Sequence, residues 1–280
     1  MAPPGIRDTD RGGPGEWSDV LHVRSPDGTA IALERITEGP RPLVTLAGAT
    51  AGRANWAEAA RPLDGRFAVW LADRRGKGDS GDTEPYAFER EHEDLFAIAE
   101  SFAEPVAFAA HSSGAVCLLG AAARGLPAAH LVVYEPPWPL PGRRSDGPAL
   151  DAMEARLAAG DPEGCLETGL LRLVEAPPAA VAGMKQTPSW PQRVAHAHTW
   201  PREGRELGRM PEGTDVLRDV RVPTLMLLGE LSAGHLRAST EAVAAALPDA
   251  VVVELPGQGH AALQTAPAMV GDVLARHLPD

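Results

Sequence analysis

The run Val106-Ala107-Phe108-Ala109-Ala110 is apolar without interruption, breaks at His111-Ser112-Ser113-Gly114, and resumes as an Ala/Leu-rich stretch from Ala115 to Ala123. An apolar run of this length, ended by serine and glycine and followed at once by good helix formers, reads as buried strand, abrupt turn, helix. That join leaves little choice of fold. A strand buried on both faces needs helices above and below it, and parallel neighbours on either side. The small residues Ala110 and Gly114 let strand and helix approach closely, so Ser112 stands at the tip of a tight turn. Its hydroxyl then rises above the strand end, and the first N–H groups of the helix point at the same place. A plainer alternative makes Ser112 and Ser113 caps on an ordinary helix. The rest of the chain decides between the two.

Along the chain, Val20-Leu21-His22-Val23 and Thr29-Ala30-Ile31-Ala32-Leu33 flank the turn residues Ser25-Pro26-Asp27-Gly28 and predict a hairpin. Leu43 to Leu46, Phe67 to Leu71 and Leu131 to Tyr134 are short buried strands, with helices expected at about 56–63 and 88–102. From Pro136 to about Pro211 the rhythm stops. Helical patterns at 151–158, 162–174 and 192–199 are separated by prolines, and no strand is expected. Strands at Thr224 to Leu228 and Val251 to Leu255 follow, with helices at about 237–247 and 267–277. The expected organisation is a Pro/Gly-rich, disordered tail over 1–17, an α/β core over 18–136 and 212–280, and a helical cap over 137–211.

Bulk properties exclude several function classes. A net charge of −12 over 280 residues argues against a nucleic-acid partner and offers no polybasic surface for a membrane. Cys117 and Cys165 lack metal-ligand spacing, and each is expected to pack as a small hydrophobe. No apolar run approaches the length of a membrane span, and the opening residues lack a signal-peptide layout, so a cytoplasmic protein is expected. The glycine-rich stretch Asp73 to Ser80 does not follow a phosphate-binding pattern. It is expected to be structural, with Arg74 and Asp79 bracing neighbouring loops.

Taken together, the Ala47-Gly48 loop, Asp73-Arg74-Arg75-Gly76-Lys77-Gly78-Asp79-Ser80, the turn at Ser112, Tyr134-Glu135-Pro136-Pro137, the segment from Val222 to Gly229, and Gly257-Gln258-Gly259-His260 resemble the α/β-hydrolase fold superfamily. The resemblance runs from Val20 to His277. It implies a mainly parallel eight-stranded sheet with helices on both faces and a helical cap insertion. The Ser112 turn is then a nucleophile elbow, departing from the common pattern in having Ala110 at its first position.

A serine hydroxyl needs a base, and the base needs a third group to orient it. His260, in a glycine-rich loop after the last strand, is the expected base, completing a catalytic triad with Ser112 and an acid. The acid is where this chain departs from the commoner pattern. Three positions beyond Gly229, where the family usually has it, stands Ser232. Glu135, at the end of the strand after the elbow helix, is favoured as the replacement, with Glu230 as the alternative. By resemblance, the oxyanion hole comes from the backbone amides of Ser113 and Ala49. Trp138 and His111 are expected to line the substrate pocket, although His111 has a second reading in which its ring packs beneath the turn.

These residues predict a cofactor-free serine hydrolase, with no metal, acting on an ester, lactone or thioester of a hydrophobic small molecule. The alternative is a lyase or cyclase of secondary metabolism on the same scaffold, with His260 as its base. A small-molecule substrate is the expected partner, with no nucleic acid and no membrane, and a homodimer is left open as the assembly.

Overall fold

A computed structural model describes residues 20–142 and 146–279. The expected tail at 1–17 lies outside the described residues. Eight strands form one sheet in the order β1-β2-β4-β3-β5-β6-β7-β8. The antiparallel hairpin of β1 (Val20–Arg24) and β2 (Ala30–Arg35) occupies one edge, and β2 pairs antiparallel with β4 (Phe67–Ala72). From β4 onward every pairing is parallel, through β3 (Arg41–Leu46), β5 (Val106–His111), β6 (Ala128–Tyr134), β7 (Thr224–Gly229) and β8 (Ala250–Leu255).

The unbroken apolar runs are explained by two cores, one on each face of the sheet. Val44, Leu46, Val106, Phe108, Leu131, Val133 and Met226 point into one, against α2 (Phe88–Ser101), α3 (Ser113–Ala122) and α9 (Gly234–Ala246). Their alternates Leu43, Ala107, Ala109, Val132, Leu225 and Leu227 point into the other, against α1 (Ala57–Ala60) and α11 (Pro267–His277). Side chains alternate across a strand, so a strand covered on both faces must be apolar at both parities. The helix expected over 56–63 is instead the single turn of α1, flanked by 3₁₀ turns at Arg53–Trp56 and Arg61–Leu63. Pro62 removes a donor inside that segment and keeps it from continuing as α-helix.

Between β6 and β7 lie α4 (Gly147–Ala158), α5 (Pro162–Arg172), α6 (Pro178–Met184), α7 (Trp190–Ala195) and α8 (Trp200–Arg209). These five helices have a core of their own, built on Leu150, Met153, Cys165, Leu166, Leu170 and Trp200. Each of the five begins with proline in its first turn, where the missing N–H has no partner to lose. The prolines that break the sequence pattern therefore start helices, and α6 and α8 were hidden behind them. The short α10 (Ala262–Thr265) follows His260 and leads into α11. No helix among the described residues is long and apolar enough to cross a membrane.

The core also holds a buried base. His92 on α2 packs against Gly120 on α3, where an added Cβ would lie 2.3 Å from its Nε2. Burial, reinforced by Arg124, lowers its pKa from 6.5 to about 4. Above pH 6.5 the ring is neutral folded or unfolded. Below it, the unfolded chain takes up a proton that the folded chain refuses, so stability is lost as pH falls from 6.5 towards 4. The loss from this one group is about 3 kcal/mol. Urea unfolding between pH 7 and 4 should show that slope, and His92→Gln should flatten it. A wild-type stability constant across that range would refute the assignment.

Candidate active site

Register places the site. In the paired strands His111 lies beside Tyr134, Tyr134 beside Leu227, and Gly229 beside Leu255. The residues immediately beyond β5, β6, β7 and β8 therefore emerge together along the carboxyl edge of the sheet, where open α/β sheets gather their functional groups.

Ser112 follows β5 with φ 55° and ψ −124°, a left-handed conformation that costs a non-glycine residue strain and holds its side chain clear of both strand and helix. Its N–H donates to the Tyr134 carbonyl at 2.9 Å, tying the turn to β6. Gly114 is required by contact, since a Cβ there would lie 2.5 Å from the Ala47 carbonyl oxygen.

Glu135 also adopts a positive φ, 45°, which swings its side chain off the end of β6. The carboxylate is completely buried. Its Oε1 accepts from the Gly229 N–H at 2.6 Å and from the Ser232 hydroxyl, while Oε2 lies 2.6 Å from His260 Nδ1. No arginine is among these partners. His260 Nε2 in turn lies 3.1 Å from Ser112 Oγ. The structure thus brings Ser112, His260 and Glu135 into one continuous hydrogen-bonded line. Glu230 is elsewhere: its Oε2 accepts from the Gly257 N–H at 2.7 Å and braces the loop that carries His260. The Tyr134 hydroxyl steadies the far side of that loop, donating to the Gly259 carbonyl and accepting from the Ala262 N–H at 3.2 Å.

A cavity of about 720 Å³ opens over Ser112, within the range of small-molecule sites. Ala49, Ser113 and His260 share its floor with the serine, and Phe88, Val116, Trp138, Trp200, Leu207 and Leu236 make its walls largely apolar. Trp138 is among the residues lining it, fixed by its indole N–H donating to the Gly213 carbonyl at 2.8 Å. His111 is not among them. Its ring is buried beneath the turn, with centroids 4.5 Å from His260 and 4.8 Å from Tyr134. Burial, reinforced by His260, holds its pKa well below 6.5.

Sequence reasoning missed a second group of polar residues, directly under Ser113. Arg74 donates from Nε and Nη2 to both oxygens of Glu91, at 2.7 and 2.6 Å, and from Nη1 to Glu203 Oε2 at 3.0 Å and Ser113 Oγ at 2.9 Å. Lys77 Nζ donates to Glu203 Oε1 at 2.6 Å, and the Tyr86 hydroxyl to Glu91 Oε1 at 2.7 Å. All four charged side chains are buried. Burial opposes ionisation of Glu91, but Arg74 and Lys77 outweigh it and hold its pKa at about 2. Glu203 lies on α8, a helix that its proline and polar sequence concealed. The only available signal was the pair of cations, Arg74 and Lys77, in a stretch otherwise read as structural. Asp79 does brace a loop as expected, through Arg53 at 2.8 Å. Among the described residues no cluster of His, Cys, Asp and Glu could hold a metal ion.

Comparison with known proteins shows the family and the fold. Residues 43–273 match the model of the family described as "Alpha/beta hydrolase family". The chain is similar to a solved alpha/beta hydrolase from Sphaerobacter thermophilus, at 38% identity and a TM-score of 0.83, over 91% of this chain and 99% of that one. A thermophilic esterase from Thermogutta terrifontis (21% identity, TM-score 0.73, 93% and 98% covered) shares the fold. So does the naproxen esterase of Bacillus subtilis (18%, TM-score 0.71, 93% and 91%). Comparison with curated proteins returns no match.

Proposed function

The chain belongs to the alpha/beta hydrolase family, and from that premise we propose that it is a serine hydrolase cleaving an ester, lactone or thioester of a hydrophobic small molecule through a Ser112 acyl-enzyme. The observation that carries this reading is the line Ser112 Oγ–His260 Nε2, His260 Nδ1–Glu135 Oε2, opening into an apolar cavity. The esterase names of structurally similar proteins agree with it.

In this mechanism His260 Nε2 takes the Ser112 proton as the hydroxyl oxygen adds to the substrate carbonyl carbon. The backbone amides of Ser113 and Ala49 receive the oxyanion, each worth a few kcal/mol of transition-state stabilisation. His260 then gives its proton to the leaving group, and a water molecule repeats the sequence in reverse to free the acid. Glu135 keeps Nδ1 protonated and stabilises the imidazolium. It is well placed for that, because the Gly229 N–H and the Ser232 hydroxyl occupy its other oxygen and fix its plane. The helices between β6 and β7 act as the cap, and their apolar contribution to the cavity selects uncharged substrates. The lyase or cyclase alternative drew its support from the missing acid at position 232. The carboxylate against His260 Nδ1 removes that support, and activity that survived Ser112→Ala but not His260→Ala would be the mark of the alternative.

A fluorophosphonate tests the reading. Folded wild-type protein should be labelled at Ser112, and Ser112→Ala should not be labelled at all. Absent labelling of the wild type, or labelling that survives the substitution, would end this mechanism.

A further inference from the structure

The cap touches both residues whose amides are assigned to the oxyanion hole, at the Ala49 carbonyl and the Ser113 hydroxyl, and it does so with one short stretch of chain. A 3₁₀ turn at Ala197–Thr199 runs directly into α8, so His196, Thr199 and Glu203 recur at helical spacing on one face. That face meets the site at two places. His196 Nδ1 lies 3.2 Å from the Thr50 carbonyl, while the Thr199 hydroxyl donates to the His196 carbonyl at 3.0 Å and lies 3.4 Å from the Ala49 carbonyl. His196 Nε2 accepts from the Gly78 N–H at 3.0 Å, which leaves Nδ1 as the protonated nitrogen and the donor to Thr50. On the other side of the nucleophile, Glu203 Oε2 accepts from the Ser113 hydroxyl at 2.8 Å. The same hydroxyl accepts from Arg74 Nη1, so its torsion is held from both sides. His196, Thr199, Glu203 and Arg74 are all buried.

We propose that this face of the cap is a positioning element for the oxyanion hole: His196, with Thr199 packed beside it, holds the Ala49–Thr50 loop, Glu203 with Arg74 holds Ser113, and together they set the spacing of the two amides. The proposal rests on the acyl-transfer reading of the site and adds the residues that make its electrostatic part work. Oxyanion stabilisation depends on donors that are already in place when charge develops. A misplacement of the order of 1 Å can cost about a hundredfold in rate. Apolar packing could dock a cap equally well, and burying four charges is no cheap route to stability. Hydrogen-bonded contacts, unlike packing, fix orientation, and here they end on Ala49 and Ser113. Of His196, Thr199, Glu203 and Arg74 only Glu203 is among the residues lining the cavity, and all four are assigned a role through the two amides.

Ser113→Ala keeps the backbone N–H and removes only the hydroxyl by which it is held. With a p-nitrophenyl ester its kcat should fall about tenfold while KM stays within twofold, and affinity for an arylboronic acid, which forms a tetrahedral adduct on the serine, should fall by the same factor. Thr199→Val should move both quantities in the same direction by a smaller factor, and Thr199→Ser should restore them. Glu203→Gln combined with Ser113→Ala should cost less than the product of the two single effects, because the Ser113–Glu203 contact is lost in both, although Glu203→Gln also loses its charge pairing with Arg74 and Lys77. Thermal unfolding establishes that each variant is folded. If Glu203→Gln is not, the Ser113 and Thr199 variants carry the test. The proposal is overturned if Ser113→Ala and Thr199→Val both keep kcat and boronate affinity within twofold, or if the two single losses multiply in the double variant. Failure of wild-type fluorophosphonate labelling would instead remove the acyl-transfer reading beneath it.

Discussion

Glu135→Ala should lower kcat on a small acyl ester by about 10³- to 10⁴-fold, and Ser232→Asp introduced into that variant should return part of the loss. The first half follows from the work a carboxylate does for an imidazole: it selects the tautomer with Nδ1 protonated and balances the charge that Nε2 acquires. The second follows from where Ser232 stands. Its hydroxyl already touches Glu135 Oε1, and the same carboxylate contacts His260 through Oε2. A carboxylate grown from position 232 therefore reaches the space that Glu135 vacates. In the presence of Glu135 the same substitution should do harm, since two carboxylates in contact cannot both stay ionised and one must take up a proton. The expected pattern is thus Ser232→Asp harmful alone and beneficial beside Glu135→Ala. Steady-state kinetics on the two single variants and the double variant decide it. A Glu135→Ala enzyme within tenfold of wild type would sink the assignment.

The second large effect is on stability. Arg74→Met should destabilise the fold by about 3–5 kcal/mol, the usual result of removing one member of a buried ionic group. For a chain of this size that is a fall in Tm of about 5–9 °C. The cause is specific: Glu91 and Glu203 would remain buried with Lys77 as their one remaining cation in the cluster. In wild type Arg74 and Lys77 depress both carboxyl pKa values, so the stability they contribute is present above about pH 4.5 and is lost as pH falls through the folded values. Without Arg74 the sign reverses. Burial then raises the carboxyl pKa values, the folded chain binds a proton more readily than the unfolded one, and the deficit relative to wild type should shrink as pH falls. Adding Glu91→Gln should recover part of the loss at neutral pH, because the Lys77–Glu203 pair stays intact. Calorimetry or urea unfolding checks all three statements. A variant as stable as wild type would mean that this network contributes nothing.

The two cases differ in how visible they were before the fold was known. The strands were legible because burial on both faces leaves a run of apolar residues that survives in one dimension, as at Val106–Ala110 and Leu131–Tyr134. Ser112, Glu135 and His260 could be singled out because each stands just past a strand or in the loop beyond it, and parallel strands deliver such residues to one edge. In the segment between β6 and β7 the helices at Gly147–Ala158 and Pro162–Arg172 were legible, while α6 and α8 were not. The prolines of α6 and α8, which interrupt the apolar period, sit in first turns where a helix loses nothing by them.

By itself, then, the sequence determined the layered α/β architecture, the strained turn at Ser112 and a short list of partners for it. These rest on local propensity, on burial periodicity and on the direction in which parallel strands carry the chain. Tertiary structure alone decided which carboxylate meets His260. Glu135 and Glu230 both follow a strand closely, and a φ of 45° at Glu135 separates them by turning one inward while the other props the Gly257 loop. It alone also paired Arg74 with Glu203, across more than a hundred residues of chain. A hydrogen bond is specified by distance and angle in space. Sequence separation carries no information about either, so contacts of this kind appear only once the cap is folded over the sheet.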